Sequence, residues 1–180
     1  STEADAANST FPRKSEQAAS AAAAAGARAI ILRLPPSVHG QGDHGFIPLL
    51  ISLAREKGVA AYVGDGLNRW PAVHRLDAAR LYRLALERAA APCYHAVADE
   101  GVPFHQIAEV IGRRLHLPTV SLSAEEAASH FGWFAQFAAL DCPSSSAQTR
   151  EQLGWQPAQP ALLDDLDQVT GAGPERVEQP

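Results

Sequence analysis

Apolar residues fall along the chain in short extended runs separated by amphipathic stretches. Residues 16–25 are almost all alanine and other helix formers, and Gly26 stands where such a helix ends. A close-packed helix is expected there, because an apolar run follows at once. Residues 28–34 read as a strand apolar on both faces, as in a parallel sheet covered by helices. Pro35 and Pro36 end it, since neither donates to a ladder. Between Phe46 and Lys57, Ile47, Leu50, Ile51, Leu53 and Ala54 recur at helical spacing, with Asp43 as the expected cap and Gly58 as the stop. Ala60 to Val63 is a short strand before the turn Gly64-Asp65-Gly66. Residues 72–75 are extended, Asp77 caps a helix running to Glu87, and residues 93–98 form a last strand. Residues 103–115 carry Phe104, Ile107, Ile111 and Leu115 on one stripe. Ser123 with Glu126 makes a capping box, and residues 146–153 form a short helix stopped by Gly154. Residues 171–180 carry no periodicity and read as a flexible tail. Strands alternating with helices predict an α/β fold.

Composition narrows the classes. Of the 180 residues, 46% are hydrophobic and 19% charged, a globular balance with enough chain for a core. A net charge of −5 argues against a general nucleic-acid backbone binder, which needs clustered Lys and Arg. No apolar run approaches membrane-spanning length, and the polar, acidic residues 1–8 are not a signal peptide. A soluble, cytoplasmic protein is expected, with Cys93 and Cys142 as reduced thiols since no CxxC pattern joins them. No methionine stands at position 1 or elsewhere, as expected of a processed chain or a fragment.

Four motifs follow one another: Arg33…Val38-His39-Gly40, Gly64-Asp65-Gly66, Val73-His74-Arg75-Leu76-Asp77 and Leu153-Gly154-Trp155-Gln156-Pro157. Each is weak alone. In this order and spacing they resemble the C-terminal part of an extended (atypical) short-chain dehydrogenase/reductase, of the NAD(P)-dependent epimerase/dehydratase family similar to UDP-galactose 4-epimerase. The resemblance implies the C-terminal part of a Rossmann-like parallel sheet with a smaller, mainly helical substrate lobe. Residues 1–42 and 72–99 would form the rear of the dinucleotide-binding fold, and 43–71 and 100–170 the substrate-binding lobe. It implies NAD or NADP as cofactor, a small or nucleotide-linked substrate, and leaves a homodimer open. In the family, the loop equivalent to Leu34, Pro35, Pro36 and Ser37 leaves the carboxyl edge of the sheet beside the nicotinamide. Ligands sit at that edge in doubly wound sheets.

The chain departs from the family pattern in two places. It holds no Gly-x-x-Gly-x-x-Gly turn of the kind that cradles a pyrophosphate at a helix N-terminus. The Tyr and Lys of the family's Tyr-x-x-x-Lys pair are replaced by Phe11 and Ser15, and Lys14 points about 100° away around the helix. Phenylalanine has no proton to transfer, so no catalytic residue is assigned; Ser9 and Thr10 offer hydroxyls nearby. This chain alone is expected to bind cofactor weakly or not at all. A non-catalytic dinucleotide-binding or regulatory protein is the alternative.

His39, His44, Phe46, Arg69 and His74 flank the segments that, by resemblance, enter the lobe over the sheet edge, and are the candidates for substrate. Arg69 fits a solvated turn equally well. The three histidines lack metal-ligand spacing, so no metal is expected. Trp70-Pro71 is expected in the core, and Asp164-Asp165 on a solvated helix face.

Overall fold

The computed structural model describes residues 1–5 and 14–168. Phe11, Ser9, Thr10 and the tail 171–180 lie outside the described residues.

Helix α1 (Ser15–Ala24) forms on alanine propensity and buries none of its residues. The close packing expected of it is absent: alanine favours the helix but brings little area to bury. Glu16 ties it to the sheet by accepting from the Arg33 guanidinium. Strand β1 (Ile31–Arg33) is shorter than expected and pairs in parallel with β5 (Cys93–His95), Ile31 opposite Cys93 and Arg33 opposite His95.

The two prolines break that ladder, but a plain loop does not follow. The chain resumes as β2 (Ser37–His39) against a different partner, β4 (Arg69–His74), with Ser37 opposite Ala72 and His39 opposite His74. On its other side β4 pairs antiparallel with β6 (Asp99–Pro103), through an irregularity between Trp70 and Ala72. Strand β3 (Ala60–Val63) pairs in parallel with β7 (Thr119–Leu122).

Helix α2 (Phe46–Lys57) ends at left-handed Gly58, as the pattern predicts, but its cap is not Asp43. The Asp43 Oδ1 instead accepts from Gly45 N–H at 2.6 Å and closes the loop one step earlier. Helix α3 (Arg75–Arg88) likewise begins two residues before Asp77, because β4 runs straight into it. His74 is therefore the cap, its Nδ1 accepting from Leu76 N–H at 3.2 Å. Asp77, only 3% exposed, turns to the Leu-Gly-Trp-Gln-Pro segment instead. Its carboxylate accepts from Ala158 N–H at 3.1 Å and Gln159 N–H at 2.9 Å, while Trp155 Nε1 donates to its backbone oxygen at 3.0 Å.

The remaining helices are α4 (Phe104–Leu115), α5 (Ala124–Phe131), α6 (Ala135–Ala138) after a 3₁₀ turn, α7 (Ala147–Leu153) and α8 (Leu162–Gln168). The capping box of Ser123 and Glu126 is present. Two clusters form the core. Trp70, Ala72, Phe104, Phe131 and Phe134 pack with Leu162 and Leu166 of α8. Val73, Leu81, Tyr94, Leu153 and Trp155 make the other. Ala72 and Val73 are adjacent, so the two-residue period of a strand sends them to opposite faces. Strand β4 is thus the wall between the clusters, with Trp70 and Pro71 fully buried in it.

Candidate functional site

Parallel pairing brings the ends of β1 and β5 to one edge, where Arg33 lies opposite His95. The Arg33 Nη1 donates to His95 Nε2 at 3.3 Å, and His95 Nδ1 donates to the Ser145 carbonyl at 2.9 Å. Burial pushes the His95 pKa down, which suits this neutral ring. Its backbone N–H donates to Thr149 Oγ1 at 2.8 Å, and that hydroxyl donates to Glu3 Oε1 at 2.8 Å. Thr149 N–H donates to the same carboxylate oxygen, so Glu3 satisfies the first turn of α7 from the far end of the chain. Burial pushes the Glu3 pKa up, but the bonds from Thr149 outweigh it and hold the carboxyl below its usual value. Ser15, at the lysine position of the resemblance, is exposed on α1.

From the same edge the chain passes through Leu34, which is exposed, and Pro35, which is buried, to Ser37 at 1% exposure. Pro36 between them is partly buried. This is where the chain leaves the β5 ladder for the β4 ladder. In doubly wound sheets ligands bind outside the carboxyl ends of the strands.

Beyond the loop lies His39, 2% exposed, with its Nδ1 2.8 Å from Asp165 Oδ2. The solvated face expected of Asp164-Asp165 is half wrong. Asp164 is exposed, but the next residue, about 100° around α8, turns inward to His39. His74 meets His39 edge-on with ring centroids 5.3 Å apart. Burial, and then His39, depress the His74 pKa. Gly40 follows with φ +123°, and a Cβ there would come 2.7 Å from His74 Nε2, so only glycine fits.

The other candidates lie apart. His44 is exposed, beside Asp43, whose carboxyl burial pushes up. Phe46 enters an aromatic group, 4.9 Å from Phe134, 5.4 Å from Phe137 and 5.7 Å from Trp70. Arg69 is half exposed and grips Asp141 with Nε to Oδ1 and Nη2 to Oδ2, both at 3.1 Å. Five residue steps along β4 separate it from His74, about 16 Å of rise. The structure therefore brings His39 and His74 together and leaves Arg69 at the far end of β4. Sequence reasoning missed Glu3, His95, Asp141, Thr149 and Asp165, none of which stands in a motif.

Both thiols are free, and burial raises both, Cys142 to about 11. Neither is an activated nucleophile. Among the described residues no three His, Cys, Asp or Glu side chains are grouped to hold a metal. No helix among them is long and apolar enough to cross a membrane.

A family model described as the NAD dependent epimerase/dehydratase family matches residues 13–97. An uncharacterized protein of Schizosaccharomyces pombe is 55% identical over 145 residues, and one of Saccharomyces cerevisiae 49% over 142. These alignments cover 80% and 78% of this chain but 49% and 48% of the relatives, so the chain spans about half their length. A dTDP-glucose 4,6-dehydratase from Streptomyces venezuelae, solved with NAD bound, superposes with a TM-score of 0.70 at 20% identity. That match covers 92% of this chain and 52% of the dehydratase. A UDP-glucose 4-epimerase from Thermotoga maritima, solved with UDP-glucose, gives 0.56 at 17% identity over 77% of this chain and 43% of its own. The fold is the C-terminal part of a Rossmann-like parallel sheet with a smaller, mainly helical lobe.

Proposed function

Because this chain belongs to the NAD dependent epimerase/dehydratase family, we propose that it supplies the rear of an NAD(P) site and the substrate lobe of a cytoplasmic oxidoreductase or epimerase. The substrate is a small or nucleotide-linked molecule. One observation carries this reading: at Pro35-Pro36, just past the carboxyl end of β1, the chain changes partner from β5 to β4, and ligands of doubly wound sheets sit at that edge.

Leu34, Pro35, Pro36 and Ser37 fit the nicotinamide end of NAD or NADP. The prolines offer rigid apolar surface, and neither carries an N–H to be satisfied. Ser37 would serve by its backbone, since its side chain is buried. These residues fit that end alone, because the chain has no glycine-rich phosphate cradle. Bound there, the cofactor would supply hydride transfer. The chain's own part is to orient and enclose: His39 and His74 shape the base of the loop, and His44 and Phe46 border the lobe. Arg69 exchanges its carboxylate partner, Asp141, for an anionic substrate group. Residues 1–42 with 72–99 and 43–71 with 100–170 are the two proposed lobes, and a homodimer is the proposed assembly.

Phe11 and Ser15 favour a second reading, a non-catalytic dinucleotide-binding or regulatory protein, since neither can move a proton or hold a ribose as Tyr and Lys do. The test begins with the coding region upstream of Ser1, read for a Gly-x-x-Gly-x-x-Gly stretch. A protein extended to include it should bind NAD(H) or NADP(H) by calorimetry, and a Pro36→Gly variant should bind more weakly. Binding without any turnover of nucleotide sugars or small alcohols and ketones would select the second reading. No binding by the extended protein sinks both.

A further inference from the structure

Three buried side-chain polar atoms among the described residues have no hydrogen-bond partner within the protein: Ser37 Oγ, His39 Nε2 and Trp70 Nε1. All three lie on one face of one ladder. Ser37 and His39 are two apart on β2 and so share a face. Ser37 pairs with Ala72, which places Ala72 and, two residues earlier, Trp70 on that face too. Trp70 and Ala72 pack with Leu162 and Leu166 of α8, and Asp165 of the same helix reaches His39. The three orphans therefore face the region that α8 covers, at 1%, 2% and 0% exposure.

Their chemistry specifies what they lack. The Asp165 carboxylate only accepts, so it takes the Nδ1–H of His39 and leaves Nε2 without a partner. The Trp70 indole N–H only donates, and the Ser37 hydroxyl does both. Buried groups left unpaired are rare because their desolvation goes uncompensated. The missing partner must accept from an indole and pair with an imidazole nitrogen and a hydroxyl, each of which can be met by a group that both donates and accepts. Water does all three. Ser37 and His39 are about 6.6 Å apart along the strand, a span that one or two waters bridge.

We infer that ordered internal water lies between the β2–β4 ladder and α8, completing the hydrogen bonding of Ser37, His39 and Trp70. α8 then holds the strand beneath the Pro35-Pro36 loop through water as well as through the direct His39–Asp165 bond. The water sites involve the Ser37 side chain and not the backbone proposed for the cofactor, and they stand or fall without that proposal.

Crystals of the full chain that resolve solvent test this directly. Water density within about 3.2 Å of at least two of the three atoms is expected. A dry interface there overturns the inference. Thermal unfolding of Ser37→Ala gives an independent answer. If the hydroxyl is hydrated, its removal deletes a hydrogen bond and lowers Tm by about 2–4 °C. If it is unpaired, removal relieves a penalty, and an unchanged or higher Tm overturns the inference.

Discussion

His39 and Asp165 stand 126 residues apart in sequence and 2.8 Å apart in space. Deleting the acceptor in Asp165→Ala strands a donor in a site that is 2% exposed. The expected cost is about 1–3 kcal/mol in urea unfolding. Asp167→Ala, also on α8, removes only a solvent-facing pair with Arg113 of α4 and should cost much less. Equal costs would mean that the buried pair does not hold α8.

Asp77 gathers backbone N–H groups of Ala158 and Gln159 onto a buried carboxylate. Asp77→Ala should cost about 2–4 kcal/mol, since charge-assisted bonds to a buried acceptor are among the stronger ones. It should also loosen Trp155, whose indole donates to the Asp77 backbone. Tryptophan fluorescence red-shifted in the folded variant is the readout. An unshifted spectrum with native stability would place the anchor elsewhere.

Elements carrying their own period were legible in the sequence: Phe46–Lys57 with its Gly58 stop, and Ala124–Phe131 with its box. Strands that exist because a remote partner lies beside them were not. Ser37–His39 has three residues after two prolines and is a strand only because β4 flanks it. Asp99–Pro103 and Thr119–Leu122, with five and four residues, are too short for a period to stand out. The site divides the same way. His39, His74 and Arg69 stand in motifs, but Asp165 and Asp141, which hold two of them, come from 126 and 72 residues away. No spacing rule connects such pairs; only the packed chain does.

Acid should weaken the fold before it reaches the carboxylate range. His74 and His95 both have pKa values depressed by burial, so the unfolded chain binds their protons more readily. Their contribution is complete above the ordinary histidine value of about 6.5 and is lost as pH falls through the folded values. Glu3, also depressed, adds a loss at lower pH, while Asp43, raised by burial, opposes it slightly. Urea midpoints should therefore fall from pH 7 to pH 5, and a His95→Gln variant should show a shallower fall. A flat profile would contradict neutral buried rings.

Cofactor titrations of this chain should show weak binding or none with NAD+, NADH, NADP+ and NADPH. The Pro35-Pro36 loop meets only one end of a dinucleotide, and the phosphates would find no glycine turn. Calorimetry at high protein concentration decides it. Micromolar binding by the chain alone would show that a different surface cradles the phosphates.

Arg69 separates recognition from stability. Its guanidinium is 48% exposed, and its bonds to Asp141 are those of a solvent-screened surface pair that adds little stability. Arg69→Ala should hardly move Tm, because the Asp141 carboxylate keeps the bond it accepts from the backbone N–H of residue 69 at 2.8 Å. If Arg69 takes an anionic substrate group, the same change in a cofactor-competent protein should weaken nucleotide-sugar binding by about ten-fold or more. Asp141→Asn should act in the opposite sense, since it releases the guanidinium from a competing charge while a neutral side chain still accepts from the backbone. Tighter binding in Asp141→Asn and weaker binding in Arg69→Ala, both at native Tm, would mark Arg69 as a substrate residue. Equal affinity in all three proteins would leave the pair as a surface tie between β4 and the segment after α6.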